Sequence, residues 1–185
     1  IDLKGDSGKR IVCLANLRPQ KDHNTLIKAF DIVNRNYPGY TLHLIGRNWN
    51  DDYYFEIIDL IEQLGLTNSI FYHGQQMDIY GILKKCDIGV LSSVSEGLPL
   101  ALLEYGISGL AVVTTNVGQC EMVVNIYGKC VSSDDPDELA RAIIYYIKHP
   151  DEKQSDADLF KKHIENKFSI RSIIPKLVSY YEHCK

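Results

Sequence analysis

The sequence predicts an α/β fold in which a doubly wound parallel sheet is covered by helices and followed by extra C-terminal helices. Short β-branched or aliphatic runs alternate with longer segments of helical periodicity, and the connections between them are short. The length of 185 residues suits one large domain with a sizeable core. In a fold of this kind, ligands bind outside the carboxyl ends of the strands.

Six short apolar runs are predicted as strands because each is bounded by Gly, Asn or Ser. The last of them is the weakest. The predicted strands are residues 10–15, Thr41–Ile45, 70–73, Ile88–Leu91, 111–114 and 128–131.

Segments with apolar residues three or four positions apart are predicted as helices. The first can be capped by Asp22 or Asn24. In the fourth, Pro99 suits the first helical position and Gly109 suits the exit. The predicted helices are residues 22–36, 51–64, 77–85, 99–108 and Pro136–Lys148.

The two ends of the chain differ in composition from the predicted domain, which spans residues 9–150. Residues 1–8 are interpreted as a linker-like segment. The polar run DEKQSDAD, residues 151–158, is interpreted as a loop, followed by helices at 157–165 and Ile170–His183. Residues 151–185 are therefore expected to form C-terminal helices that pack on or near the same domain.

Composition excludes several classes of protein. A net charge of -4 argues against a nucleic-acid binder, which would need a basic surface. There is no apolar run of about 18 residues and the amino end is not a signal peptide, so we expect no membrane span and a cytoplasmic location. Five cysteines without CxxC spacing favour reduced thiols over disulfides or zinc. They are Cys13, Cys86, Cys120, Cys130 and Cys184.

Residues 92–109, SSVSEGLPLALLEYGISG, form the most informative stretch. They follow a predicted strand and contain a loop, a Gly-Leu-Pro corner and an apolar helix. The free N–H groups of Gly97 and Leu98, with those of the first helical turn, would face a ligand above the strand ends. Because helix N-termini stabilise anions, a diphosphate would suit this position.

Glu104 is the only charged residue between Gly97 and Cys120. A carboxylate in such an apolar segment is costly unless it is paired or hydrogen-bonded, and the two hydroxyls of a ribose would satisfy both of its oxygens. The alternative is that the helix has one solvated edge on which Glu104 lies, and the pattern favours neither. For Glu96, in the preceding loop, simple solvation is the stronger alternative.

Glu96 and Glu104, seven residues apart with Gly-Leu-Pro after the first, resemble the E-x7-E motif of retaining glycosyltransferases of the GT-B fold, family 4 (group 1). Residues 87–123, DIGVLSSVSEGLPLALLEYGISGLAVVTTNVGQCEMV, are similar to the donor site of that family. Residues 15–30, ANLRPQKDHNTLIKAF, are similar to its first strand, phosphate loop and helix. The resemblance implies the carboxyl-terminal, donor-binding domain of such an enzyme, so residues 9–150 would be a Rossmann-like nucleotide-sugar-binding domain.

The resemblance also implies roles for individual residues. Glu104 would hold the ribose hydroxyls of a sugar nucleotide, and Glu96 would contact the transferred sugar near the reacting carbon. Backbone N–H groups around Gly97 and Leu98 would meet the sugar or the diphosphate. Lys21 matches the lysine that neutralises the diphosphate, whose charge grows in the transition state.

Two departures from the family pattern concern cations. The usual arginine, five residues before the lysine, is Asn16 here. Either Arg18 supplies the second charge from a shifted position, or the site relies on Lys21 and helix dipoles. The usual Gly-x-Gly is Gly46, Arg47, Asn48, and we favour Arg47 as a cap of the strand over Arg47 as a ligand contact.

Further positions are expected around the base and the neighbouring loop. The family resemblance places the base near Gly74, Gln75 and Gln76. The usual Gly-Gly before Glu121 is Gly118, Gln119, and Glu121 keeps its place and could fix that loop. His73 and His43 are better interpreted as structural histidines than as catalytic ones.

The implied reaction is transfer of a sugar from a nucleoside diphosphate sugar to an acceptor hydroxyl with retention, in polysaccharide or glycoconjugate synthesis. The absence of an Asp-x-Asp motif predicts that neither a metal nor a cofactor is needed. The expected partners are the nucleotide-sugar donor and an N-terminal acceptor-binding domain or separate chain, through which peripheral membrane contact could occur. Without that half, we expect weak donor binding and little transfer. The alternatives are a GT-B-like sugar-nucleotide epimerase and a non-catalytic nucleotide-binding module.

Overall fold

The computed structural model describes residues 1–183, and within them six parallel strands form one sheet in the order β3-β2-β1-β4-β5-β6. The chain winds outward from β1 in one direction and from β4 in the other, so the switch point of the doubly wound sheet lies between these two strands. The predicted fold class is confirmed, and each predicted strand agrees with the observed one to within one residue at either end. The strands are β1 (Arg10–Leu14), β2 (Thr41–Ile45), β3 (Ile70–Tyr72), β4 (Ile88–Leu91), β5 (Ala111–Thr115) and β6 (Lys129–Val131).

The helices cover both sides of the sheet. The first packs with the second and the sixth, while the fourth packs with the third and the seventh. The fifth was not predicted, because its five residues are too few to show helical periodicity. The helices are α1 (His23–Asn36), α2 (Asp52–Gln63), α3 (Ile79–Leu83), α4 (Leu100–Ser108), α5 (Cys120–Val124), α6 (Pro136–Lys148), α7 (Pro150–Lys167) and α8 (Ile170–His183).

The N-termini of α1 and α4 can be compared with the predictions made for them. The Asp22 carboxylate accepts a hydrogen bond from the Thr25 N–H at 3.1 Å, so one of the two predicted caps of α1 is confirmed. The prediction that Pro99 occupies the first position of α4 is wrong by one residue. Pro99 has an extended backbone, and its carbonyl accepts the Leu102 N–H at 3.1 Å, which makes it the N-cap.

The prediction of a loop at residues 151–158 is wrong, because this segment lies inside the 18-residue helix α7. Pro150 occupies the first turn together with Asp151 and Glu152, whose charges favour a helix N-terminus. The residues that α7 buries are too few to show a helical periodicity in so polar a sequence. It consists of Ala157, Phe160, His163 and Ile164.

Residues 1–8 contain no helix or strand, yet they are attached to the domain. Leu3 is buried in the core. The Arg10 guanidinium donates hydrogen bonds to the carbonyls of Leu3, Lys4 and Gly5 at 3.3, 3.2 and 2.6 Å. The segment therefore lies against the amino end of β1.

The last helix, α8, carries many exposed apolar side chains, as expected for the closing helix. Within residues 1–183, no helix is both long enough and apolar enough to cross a membrane. Four cysteines are free thiols, while Cys184 lies outside the described residues. The exposed apolar residues of α8 are Ile170, Ile173, Ile174, Leu177, Val178, Tyr180 and Tyr181.

Tyr105 of α4 joins the two strands at the switch point. Its fully buried hydroxyl accepts the Leu14 N–H at 2.6 Å and donates to the Val90 carbonyl at 3.2 Å. Gly89 leaves room for the ring, because a Cβ there would lie 2.6 Å from it. The hydroxyl thus satisfies backbone groups of β1 and β4 and holds α4 beside the strand ends.

We expect Tyr105→Phe to lower the free energy of unfolding by about 1–3 kcal/mol, because it leaves a buried N–H and a buried carbonyl with one partner fewer. Urea denaturation measures this loss. Tyr54→Phe is the matched control, since within the described residues the Tyr54 hydroxyl has no hydrogen-bond partner. Equal stability of the two variants would contradict the role of the Tyr105 hydroxyl.

Candidate functional site

A cleft opens at the carboxyl ends of β1 and β2, beside the N-terminus of α4. It has two arms that share the wall formed by Leu14, Asn16, Ile45 and Gly46. The first, which we call the Glu104 arm, has a volume of 340 Å³, and the second, the Trp49 arm, has a volume of 360 Å³. The Glu104 arm also contains Ala15, Lys21, Glu96, Leu98, Pro99, Leu100, Ala101 and Glu104, and the Trp49 arm contains Arg47, Trp49, Gln75, Gln76 and Ile79.

Lys21 and Glu96 form an ion pair inside the Glu104 arm. Lys21 Nζ lies 2.6 Å from Glu96 Oε1, and their side chains are 27% and 8% exposed. Ser93 Oγ donates to the same Oε1 at 2.7 Å. Within residues 1–183, Glu96 Oε2 has no hydrogen-bond partner, so this oxygen remains available to a ligand.

The loop that carries Glu96 is held from several sides. Ser92 Oγ donates to the Lys21 carbonyl at 2.9 Å, and Thr115 Oγ1 donates to the Ser93 carbonyl at 2.6 Å. The Gln119 N–H donates to the Gly97 carbonyl at 3.2 Å. These bonds fix both charged residues of the ion pair relative to the strand ends.

Glu104 lies on the cleft side of α4, and its carboxylate lines the Glu104 arm. Partial burial raises the pKa of this carboxyl. No residue of the described chain pairs with or hydrogen-bonds to it. The side chain is exposed, so both of its oxygens can accept hydrogen bonds from a ligand or from water, and the two interpretations of Glu104 both remain.

Asn16 connects the two arms of the cleft. Its Oδ1 accepts the Arg47 N–H at 2.8 Å, and the Arg47 carbonyl accepts the Leu17 N–H at 2.9 Å. The Arg47 backbone thus closes the end of β2, while Arg47 also lines the Trp49 arm, so the choice between a cap and a ligand contact stays a prediction. The side-chain oxygen of Asn16 is already used, which leaves its amide nitrogen for a ligand.

Arg18 is not among the residues that line the cleft. Its guanidinium lies 4.3 Å from the centre of the Trp49 ring, and that of Arg47 lies 5.4 Å from it. Trp49 was not predicted as a site residue from the sequence. The signal was present, because it is the only tryptophan of the chain and it follows the carboxyl end of β2.

The other predicted site residues are distributed unevenly. Gln75 and Gln76 line the Trp49 arm, and the Gly74 carbonyl accepts the Gly46 N–H at 3.0 Å. Gly97 is exposed beside the Glu104 arm, and Glu121 is exposed in the first turn of α5, away from the cleft walls. Direct ligand contacts of Gly97 and Glu121 stay predictions.

His73 and His43 form a stacked pair outside the cleft, consistent with a structural role. His43 Nδ1 lies 2.9 Å from His73 Nε2, and His43 Nε2 lies 3.0 Å from Thr41 Oγ1. Burial, with a smaller effect of His73, lowers the pKa of His43 to about 4. Burial also lowers the pKa of His73.

We expect the free energy of unfolding to fall as the pH drops from about 6.5 toward 4. In this window unfolded histidines bind protons while folded His43 stays neutral, so stability rises with pH. Between pH 7 and pH 5 the contribution of His43 should be about 1 kcal/mol, allowing for solvent screening. Urea titrations of wild type and His43→Gln at both pH values measure it. An identical pH dependence in the two proteins would contradict the expectation.

Two other features lie apart from the cleft. A groove of 740 Å³ between α1 and α2 has five carboxylates among its lining residues and contains none of the predicted site residues. Among residues 1–183, no group of three or more His, Cys, Asp or Glu side chains could hold a metal ion.

The fold is a Rossmann-like α/β domain with a cleft, lined in part by charged side chains, beside the switch point of its sheet. Residues 2–163 match the family model described as glycosyl transferases group 1. The chain therefore belongs to the group 1 glycosyl transferases, and the predicted family is confirmed.

Three similar proteins illustrate this membership. The chain is 30% identical over 103 residues to an uncharacterized glycosyltransferase of Methanocaldococcus jannaschii, covering 56% of this chain and 25% of the relative. It is 37% identical over 62 residues to the N,N'-diacetylbacillosaminyl-diphospho-undecaprenol alpha-1,3-N-acetylgalactosaminyltransferase of Campylobacter jejuni, covering 33% and 16%. The crystal structure of Anabaena HepE with UDP and glucose aligns with a TM-score of 0.88 at 22% identity, over 95% of this chain and 48% of that one. The chain thus spans less than half the length of each of these proteins.

Proposed function

We propose that the chain is the donor-binding domain of a retaining glycosyltransferase, which transfers a sugar from a nucleoside diphosphate sugar to an acceptor hydroxyl. The single observation that carries the proposal is the Glu104 arm, where Lys21, Glu96 and Glu104 converge at the switch point of the sheet. The crystal structure of Anabaena HepE, which has the same fold, contains UDP and glucose, which supports this ligand class.

In the proposed complex, the diphosphate lies between Lys21 and the N-terminus of α4. Leu100 and Ala101, the first two residues of α4, line this arm, and the N–H groups at these positions have no acceptor further back in the helix. As the bond between sugar and diphosphate breaks, negative charge grows on the leaving diphosphate. Lys21 and the helix dipole stabilise that charge, so that this chain provides cationic stabilisation without a metal.

The two carboxylates would act on opposite sides of the diphosphate. Glu96 shares Oε1 between Lys21 and Ser93, so Oε2 is the oxygen available to hydroxyls of the transferred sugar. Glu104 would accept hydrogen bonds from both ribose hydroxyls. Glu96 is proposed as a positioning carboxylate and not as a nucleophile, with the new bond formed on the face from which the diphosphate leaves.

The acceptor would be held by an N-terminal domain or a separate chain facing this cleft. The exposed apolar side chains of α8 and the limited coverage of the relatives support such a partner. The Campylobacter relative is named for an acceptor sugar linked to diphospho-undecaprenol, which supports a role in polysaccharide or glycoconjugate synthesis. The chain without that partner should bind donor and transfer little.

Calorimetric titration with UDP, GDP and their sugars tests the proposal, with and without EDTA. We expect at least one of these nucleotides to bind, independently of metal. Glu104→Ala should lower the affinity for that nucleotide about 10-fold to 100-fold, because hydrogen bonds to a charged group are lost. Glu62→Ala, an exposed carboxylate on α2 outside the cleft, is the control and should bind as wild type. Failure of every nucleotide to bind, or an unchanged affinity of Glu104→Ala, would contradict the proposed function.

A further inference from the structure

The Trp49 arm is built differently from the Glu104 arm. Its walls are Leu14, Ile45 and Ile79, the indole of Trp49, the neutral amides of Asn16, Gln75 and Gln76, and Arg47. The carboxylates and the ammonium group of the cleft all lie in the other arm. An aromatic wall beside neutral amides suits a flat ring system whose edges carry hydrogen-bonding groups.

We propose that Trp49 is the stacking platform for the nucleotide base, and that Arg18 is a positioning residue that clamps the indole and does not bind the diphosphate. This inference rests on the proposed function. It assigns roles to residues at which the chain departs from its family pattern, Arg18 and the loop after Gly46.

The connection between the two arms determines where the base must go. A nucleotide is linear, with the ribose between the diphosphate and the base. With the diphosphate at Lys21 and the ribose at Glu104, the Glu104 arm is filled by these polar parts. The base then extends past the shared wall of Leu14 and Ile45 into the Trp49 arm.

The loop that carries Trp49 is held in place before any ligand binds. The Gly46 carbonyl accepts the Tyr72 hydroxyl at 2.9 Å, and the Gly46 N–H donates to Gly74. Asn16 and Leu17 hold the two backbone groups of Arg47. A platform that is already ordered binds a ligand without a further loss of loop entropy.

The position of Arg18 completes the platform. With its guanidinium 4.3 Å from the ring centre, Arg18 interacts with Trp49 through a cation–π contact. The indole is 38% exposed, which leaves part of its surface for a base. Arg18 thus contacts the indole from outside the two arms, and Lys21 is the cationic side chain that lines the Glu104 arm.

Stacking has a distinct signature, since every base presents a π face. We expect Trp49→Ala to lower the affinity for UDP, GDP and ADP by similar factors, each about 10-fold to 100-fold. Trp49→Phe should retain most of the affinity. Inorganic pyrophosphate, which has no base, should bind wild type and Trp49→Ala equally. Arg18→Ala should lower the affinity for the nucleotides but not that for pyrophosphate. Arg18→Lys should restore part of the lost nucleotide affinity.

Intrinsic fluorescence gives a readout that needs no variant. Trp49 is the only tryptophan, so its emission reports on this arm alone. Nucleoside diphosphates should quench it at concentrations that match the calorimetric affinity, whereas pyrophosphate and ribose 5-phosphate should not. A misfolded Trp49→Ala, detected by circular dichroism, would leave this measurement intact.

The outcomes separate the inference from the proposed function. If nucleotides bind wild type and depend on Glu104, but neither quench Trp49 nor depend on it, the inference is overturned and the proposed function stands. If Arg18→Ala lowers the affinity for pyrophosphate as much as that for nucleotides, Arg18 is a diphosphate ligand, and its proposed role as a positioning residue for Trp49 is wrong. If no nucleotide binds wild type, both fail.

Discussion

Lys21→Met should weaken binding of a nucleoside diphosphate by about 30-fold or more, the range expected when one partner of a close charge pair is truncated. The reason is twofold. The substitution removes the cation that lines the Glu104 arm, and it leaves the Glu96 carboxylate, 2.6 Å from the lost ammonium, to repel the ligand. Calorimetric titration with the best-binding nucleotide measures the loss.

A double variant separates these two effects. Lys21→Met/Glu96→Gln removes the repelling carboxylate as well, so it should bind more tightly than Lys21→Met alone. Lys28→Met, an exposed lysine on α1 outside the cleft, is the matched control and should bind as wild type. If the double variant binds no better than Lys21→Met, electrostatic repulsion by Glu96 is not part of the effect.

Gly118→Ala should destabilise the protein strongly although it adds only one methyl group. Gly118 has φ +55°, and a Cβ there would lie 2.0 Å from the Glu96 carbonyl oxygen. The loop before α5 would have to retreat from the loop that carries Glu96, which breaks the hydrogen bond from the Gln119 N–H to the Gly97 carbonyl. We expect a loss of about 2–4 kcal/mol in the free energy of unfolding, together with weaker nucleotide binding.

Gly65→Ala is the matched control for this substitution. Gly65 has φ +68°, and a Cβ there would have no atom within 4 Å, so it carries the backbone strain without the collision. We expect it to cost about 1–2 kcal/mol and to leave nucleotide affinity unchanged. Urea denaturation and calorimetry compare the two variants. Equal losses of stability would mean that the contact between Gly118 and Glu96 is unimportant.

The local sequence pattern was sufficient to predict the strands of the sheet. Buried parallel strands are continuous apolar runs, and because β1 to β5 are bounded by loop residues, their positions could be predicted to within one residue. The cap at Asp22 followed from the same kind of local chemistry. The position of Pro99 was missed by one residue because proline is compatible with both the cap and the first turn, and only the hydrogen bond from Leu102 distinguishes them.

The segment 151–158 shows where local pattern was insufficient. Its charged residues form helices and loops equally well, and the buried side of α7 becomes apparent only when Phe160 and Ile164 meet α4. At Gly106 of α4, a Cβ would lie 2.4 Å from the Ile164 side chain, so the two helices approach closely at this point. Contacts between distant parts of the chain therefore decided the structure of this segment.

The candidate site likewise has features that the sequence predicts and features that only the tertiary structure decides. Residue type alone drew attention to Glu104, because a carboxylate in an apolar helix is chemically conspicuous, whereas Lys21 and Glu96 were predicted from the family resemblance. Only the tertiary structure decided that Lys21 pairs with Glu96, that Arg18 turns to Trp49, and that the cleft has two arms. These are relations between residues up to 75 positions apart. They depend on packing, which no local window of sequence contains.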